Sequence, residues 1–172
     1  MVSKHVRYMA YLVRHKWFVL VAGMRVGVAL WRLLIHDWSK FLPSEWFPYV
    51  QNFYGDNSHE GLQAIGEFGL AELAPYGYYA KDRFNAAWNL HQKRNKHHWQ
   101  YWLLTHDTGE TVPMPMPDKY IREMVADWMG AGRAITGRWE VQEWYEKNKR
   151  RMVMRDSVRR RVTELLCAVR CQ

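Results

Sequence analysis

The chain has very little cysteine, and its two cysteines, Cys167 and Cys171, both lie near the C-terminal end. Two such residues cannot supply the several bridges of a small secreted domain or the four thiolates of a structural zinc module. A chain of 172 residues is long enough to bury a hydrophobic core of its own. We therefore expect a single domain over residues 1–172 that is stabilised by packing.

A long uninterrupted apolar run is also missing. The most apolar region extends from Trp17 to Ile35, but Arg25 and Arg32 divide it into pieces shorter than the roughly 20 residues that span a bilayer. We predict that this region is a buried helix and that there is no membrane span. The basic N-terminal residues lack the apolar stretch and cleavage site of a signal peptide, so the expected location is the cytoplasm.

Strict alternation of polar and apolar residues is scarce, whereas apolar residues recur at helical spacing, which predicts an all-α fold. The glycine-rich stretch 55–80 is predicted to be a loop insertion, with a lid over the site as one interpretation. Helices are expected over residues 3–35 with a bend at a glycine, over 43–53, over 82–103, from Asp118 to the glycines at 130–137, and over 140–166.

Positive charge predominates, with a formal net charge of +8, and much of it falls in the predicted C-terminal helix 140–166 and just beyond. This basic helix is either an ordinary solvated surface or an anion-attracting one that binds phosphate, nucleic acid or an acidic protein. Its basic residues are Lys147, Lys149, Arg150, Arg151, Arg155, Arg159, Arg160, Arg161 and Arg170.

The adjacent residues His36 and Asp37 end an apolar helical run. An imidazole and a carboxylate suit a divalent transition metal, provided that further ligands converge on the same point. The candidates elsewhere in the chain are His15, His91, His98 and Asp127.

On a helix over residues 82–103, His91, Asn95 and His98 share a stripe with apolar core residues, while His97 points to nearly the opposite side. An unsatisfied buried polar group costs roughly 1–3 kcal/mol. Three polar side chains on one buried stripe therefore predict a shared partner, such as a metal ion or a bound anion.

The segment His36-Asp37-Trp38-Ser39-Lys40 resembles the His-Asp-x-Gly/Ser-Lys segment of the HD-domain metal-dependent phosphohydrolase superfamily, and the likeness extends roughly from Arg14 to Trp128. The pattern His-Asp-Trp-Ser-Lys-Phe followed by Asn-Lys-His-His-Trp is also similar to a small uncharacterised group found in phages and bacteria. The resemblance implies an HD-like helical domain that holds one or two divalent ions, with manganese, cobalt, nickel, zinc and iron as the candidates.

The resemblance further implies roles for individual residues. His15, His36, Asp37 and Asp127 would be the primary ligands, and His91 and His98 would bind a second ion or face a phosphate. Asp37 would position the attacking water, Lys40 would hold a phosphate oxygen, and Glu45 or His98 would protonate the leaving oxygen. The side chains expected to contact substrate are Arg14, Lys40, Arg94, Asn95 and Lys96.

These roles predict metal-assisted hydrolysis of a small phosphorylated substrate, a nucleotide or a related phosphoester. Two alternatives stay open. The same helical scaffold supports di-iron oxygenase chemistry in some HD relatives. A non-catalytic module that binds nucleic acid or an acidic protein through its basic C-terminal helix would need the histidines only for structure. The oligomeric state is not determined by the sequence.

Overall fold

The computed structural model describes residues 2–55 and 74–170, with side chains for residues 2–55 and 81–169. The predicted all-α class is confirmed, because the described residues contain seven α-helices and a single two-stranded hairpin. The helices are α1 (Lys4–Arg25), α2 (Leu30–Ile35), α3 (Pro43–Tyr54), α4 (Ala74–Arg94), α5 (Asp118–Thr136), α6 (Val141–Asn148) and α7 (Asp156–Arg170). Short 3-10 helices cover Trp38–Phe41, Trp99–Trp102 and Lys149–Arg151, and the strands are β1 (Leu103–Thr105) and β2 (Thr111–Pro113).

The predicted insertion at 55–80 falls mostly on residues 56–73, which lie outside the described residues, while residues 74–80 belong to α4. Among the described residues, no helix combines the length and the apolar character needed to cross a membrane.

Contacts along the chain define two compact units. Unit 1 comprises Met1–Leu12 and Asp37–Arg94, and unit 2 comprises Val13–His36 and Asn95–Gln172. In unit 1, Tyr8 and Leu12 of α1 pack with Tyr49 and Val50 of α3 and with Ala87 of α4. Helix α3 begins at the predicted position because proline at its first residue has its φ already set for a helix and has no N–H to satisfy.

In unit 2, α5 is the most buried helix. Val125 and Ala126 are fully buried beside Val162 of α7 and Val19 of α1 in one apolar cluster. At Gly130 a Cβ atom would lie only 2.5 Å from the backbone nitrogen of Val19, so a glycine is required for α5 to approach α1 this closely. The sequence predicted that this helix ends at the glycines of 130–137. It ends at the last of them, Gly137, which has φ +75° and follows Thr136.

The predicted helix 3–35 is divided by a turn at Gly27, which has φ +74°. The guanidinium of Arg122 donates to the carbonyl of Val26 over 2.6 Å and so satisfies the end of α1. The region 17–35, which was predicted to be a buried helix, is buried on one face only. One face is buried, with Val19, Ala22 and Leu33, whereas the opposite faces of α1 and α2 expose large apolar side chains.

Two other predicted helices differ from the structure. The helix predicted over 82–103 ends at Arg94, and a β-hairpin with an exposed turn at His106–Gly109 follows instead. The helix predicted over 140–166 is interrupted at Lys149–Arg155, where Met152, in extended backbone, and Met154 enter the core. Arg159 stabilises this interruption by donating to the carbonyls of Lys149, Met152 and Met154.

Candidate metal centre

The carboxylate of Asp127 in unit 2 is surrounded by three imidazoles. Its Oδ1 lies 3.3 Å from the Nε2 atom of His15 and 3.3 Å from the Nε2 atom of His36. Its Oδ2 lies 3.9 Å from the Nε2 atom of His97. The three imidazoles are 1–2% exposed, so nitrogen and oxygen donors converge in a buried space.

A second carboxylate, Glu123, lies on the far side of two of these rings. Its Oε1 is 3.1 Å from the Nδ1 atom of His36 and 3.5 Å from the Nδ1 atom of His97. Its Oε2 accepts two hydrogen bonds from Arg32, from Nε at 3.1 Å and from Nη2 at 2.5 Å. Burial alone would raise the pKa of Glu123, but hydrogen bonds and charge from His36 and His97 hold that pKa well below the ordinary glutamate value.

This arrangement follows from local structure. Glu123 and Asp127 are four residues apart on α5 and therefore share one face of the helix. His36 lies at the C-terminal end of α2, and Lys16 of α1 donates to its carbonyl over 2.5 Å. Because α4 ends at Arg94, His97 lies in a turn that is closed by the bond from the amide of His98 to the carbonyl of Asn95.

The donor set fits a divalent transition metal. A carboxylate only accepts hydrogen bonds, so the imidazole nitrogens that face Glu123 carry hydrogen. In a neutral ring the Nε2 lone pair of His36 and of His97 then points toward the carboxylate of Asp127. A metal cation between these lone pairs and the carboxylate would satisfy both, whereas a doubly protonated ring would itself donate from Nε2 to Asp127, as the 3.3 Å contact of His36 allows. Imidazole with carboxylate is a set that zinc, iron and manganese accept. One donor atom each from His15, His36 and Asp127 lies within 4.8 Å of the others.

A separate polar cluster lies in unit 1, around His91. Its Nδ1 is 2.8 Å from Glu45 Oε2, and its Nε2 is 3.4 Å from Asp37 Oδ1. Asp37 has a left-handed backbone with φ +54°, and its other oxygen lies 2.6 Å from the ammonium of Lys40. Ser39 donates to Glu45 over 3.0 Å, so the whole cluster is connected.

The charges of this cluster are mutually stabilised. Burial would raise the pKa of Glu45, but hydrogen bonds from His91, Arg94 and Ser39, together with the charge of His91, lower it. Burial would lower the pKa of His91, but the carboxylates of Asp37 and Glu45 raise it. Glu45 is fully buried with a lowered pKa, which favours a positioning role toward His91 over the predicted role of proton donor.

The predicted site residues are thus distributed over both units. His15, His36 and Asp127 come together in unit 2, and Asp37, Lys40, Glu45 and His91 come together in unit 1. His98 is buried in unit 2 with its ring centroid 4.3 Å from that of His97.

The predicted substrate contacts are mostly engaged elsewhere or exposed. Arg94 donates to Glu45 over 2.9 Å and to Ser44 over 3.0 Å. The ammonium of Lys96 lies 5.7 Å from the ring centroid of Tyr101, and Arg14 is exposed. Asn95 accepts a hydrogen bond through its backbone carbonyl.

Two residues of the unit 2 centre were missed by the sequence reasoning, His97 and Glu123. The prediction that His97 points away from the site is wrong, because it required the helix to continue past Arg94. Glu123 had a detectable signal, since a glutamate four residues before a predicted ligand on one helix shares its face.

The fold and the buried donors define a helical protein with a candidate metal centre. The chain belongs to DUF5662, a family of unknown function, whose pattern matches residues 4–168. No curated protein and no solved structure matches the chain.

Proposed function

We propose that the chain is a metal-dependent phosphohydrolase that acts on a nucleotide or a related phosphoester. The observation that carries the proposal is the convergence of His15, His36 and His97 on Asp127, with Glu123 behind two of the rings. The resemblance of the His-Asp segment to phosphohydrolases and the net charge of +8 support a phosphorylated, anionic substrate.

The residues of unit 2 would hold one divalent ion through His15, His36 and the Asp127 carboxylate, whose donor atoms lie within 4.8 Å of one another. His97, with its Nε2 atom 3.9 Å from Asp127, would have to move closer to become a third imidazole ligand. A bound divalent ion lowers the pKa of a coordinated water toward about 7 and polarises a phosphoryl oxygen. Glu123 holds His36 and His97 in the tautomer whose Nε2 lone pair can coordinate, and Arg32 fixes Glu123 in turn. In unit 1, the carboxylate of Asp37 lies against His91 and Lys40, and the role of Asp37 as a metal ligand stays a prediction from the sequence.

The unit 1 cluster fixes the orientation of the His91 ring and of the Asp37 carboxylate. Glu45 holds His91 with its Nε2 atom toward Asp37, and Lys40 neutralises the second oxygen of Asp37. Lys40 is half-buried, and in this role it sets the direction of the Asp37 carboxylate. Its proposed contact with a phosphate oxygen requires that this ion pair open when substrate binds.

The test begins with elemental analysis of protein purified without added metal. We expect a transition metal in the wild type and in Asp107→Asn, which changes an exposed aspartate in the hairpin turn, but not in Asp127→Asn. Hydrolysis of a panel of nucleotides and phosphoesters should follow metal content across the three proteins. Full metal occupancy in Asp127→Asn would refute the assignment of the centre.

The same experiment separates the alternatives. Iron as the resident metal, together with oxygen consumption and no phosphate release, would replace hydrolysis by the di-iron oxygenase hypothesis. Protein without metal that binds nucleic acid with a steep salt dependence would favour the non-catalytic module.

A further inference from the structure

The first part of the chain combines exposed apolar side chains with positive charge alone. Residues 1–36 contain six lysines and arginines and no aspartate or glutamate. Within unit 2, seven large apolar side chains of this region are 54–63% exposed, although α1 and α2 each bury an opposite face. These seven residues define the α1–α2 surface: Val13, Trp17 and Met24 on α1, and Leu30, Trp31, Leu34 and Ile35 on α2.

The residues of α1 in this surface form one stripe. At 100° per residue, Val13, Trp17 and Met24 fall within about 40° of one another. Helix α2 packs beside this stripe, because a Cβ atom on Gly23 would overlap Leu33, and Gly23 lies about 80–120° around α1 from the three apolar residues. The stripe is therefore left uncovered by α2.

Cations border the stripe on the other side of α1. Arg14 is exposed, and the guanidinium of Arg25 lies 4.9 Å from the ring centroid of Trp139. Arg133 lies 5.8 Å from the same ring and 5.5 Å from the ring of Phe18. Apolar and aromatic groups bordered by arginines are the composition of helices that lie in the interface of a membrane.

We propose that the α1–α2 surface binds the interface of an anionic lipid bilayer. Tryptophan, leucine and isoleucine would enter the boundary between headgroups and acyl chains, and the bordering arginines would attract anionic headgroups. This binding is peripheral and is independent of the proposed activity.

The charges and the exposed apolar residues favour an anionic bilayer over a second copy of the chain and over nucleic acid. A second copy of the chain would bring equal surfaces together, and α1 and α2 offer no acidic residue to pair with Arg14 or Arg25 across a symmetric contact. Nucleic acid would satisfy the arginines but would give no apolar environment to the exposed Leu34 or Ile35. An anionic bilayer provides both.

The test is co-sedimentation of the full chain with vesicles of phosphatidylcholine alone and of phosphatidylcholine mixed with phosphatidylglycerol. We expect binding to the mixed vesicles that weakens as salt is raised. Trp31→Ser combined with Leu34→Ser should lower the partition coefficient by at least about tenfold, because full burial of one such side chain alone corresponds to roughly that factor. Val153→Ser, which changes an exposed apolar residue outside the surface, should bind as the wild type does.

Arg14→Gln combined with Arg25→Gln provides an independent test, because it should reduce the preference for phosphatidylglycerol and leave the apolar residues intact. Circular dichroism confirms that each variant is folded. Absence of vesicle binding, equal binding of Trp31→Ser/Leu34→Ser and wild type, or equal affinity for both vesicle types would overturn the proposal. Light scattering that shows a dimer dissociated by the same serine substitutions would assign the surface to a second copy, and loss of nucleic-acid binding in the arginine variant would assign it to nucleic acid.

Discussion

Replacement of Glu123 by glutamine tests the centre without removing any proposed ligand. The carboxylate accepts hydrogen bonds on both oxygens, from His36 and His97 on one side and from Arg32 on the other. An amide has one accepting end and one donating end. Whichever way the new amide is turned, its NH₂ group faces either the imidazole N–H groups or the guanidinium, so donor meets donor on one side.

The expected effect is on metal affinity. Loss of a carboxylate that orients metal-binding histidines lowers affinity by about 10–100-fold, which is about 1.4–2.8 kcal/mol. Competition between the protein and a chromophoric chelator for cobalt or zinc measures it. Glu110→Gln, at an exposed glutamate, is the matched control and should leave the affinity unchanged. Wild-type metal affinity in Glu123→Gln, with circular dichroism unchanged, would refute the argument that Glu123 sets the tautomers of the two rings.

Three further predictions concern other residues. His97→Ala should lower the metal content of purified protein strongly, whereas His106→Ala, in the exposed hairpin turn, should not; equal metal contents by elemental analysis would contradict the placement of His97. Because the pKa of Glu45 is lowered in the fold, its contribution to the stability of metal-free protein is complete above the ordinary glutamate pKa of about 4.3 and is lost as the pH falls below it. Denaturation at several pH values should therefore show a weaker acid dependence in Glu45→Gln, and an unchanged dependence would contradict the assignment. Arg159→Ala should destabilise the chain by about 2 kcal/mol, because three carbonyls lose a charged donor, whereas the exposed neighbour Arg160→Ala should change stability by less than about 0.5 kcal/mol.

The hydrogen bonds of Arg159 also bear on the predicted attraction of anions by the basic C-terminal region. Arg159 is engaged by the backbone at the break before α7, and Arg161 pairs with Asp118 over 2.7 Å. A substitution of Arg159 would therefore affect folding as well as any anion binding. Arg155 and Arg160, which are exposed, are the residues on which a test of substrate steering should concentrate.

Local sequence determined the helical class and several boundaries. Apolar spacing predicted α1, α3 and α5, and the proline at residue 43 and the glycine at 137 marked one helix start and one helix end. A candidate metal site could also be recognised from local sequence, because His36 and Asp37 are two adjacent metal-binding residue types at the end of an apolar helix. These features depend on backbone preferences and side-chain chemistry within a few residues.

The composition of the centre was decided only by tertiary structure. The end of α4 at Arg94 turns His97 toward the carboxylates of α5, and no periodicity within residues 82–103 encodes that turn. Likewise, the apolar residues of α2 were predicted to be buried because their spacing gives the helix an apolar face. The spacing does not show whether another element covers that face. Burial depends on contacts between segments that are distant in the chain. The packing of α1, α2 and α5 in unit 2 therefore decides both the exposure of Leu34 and the burial of Glu123.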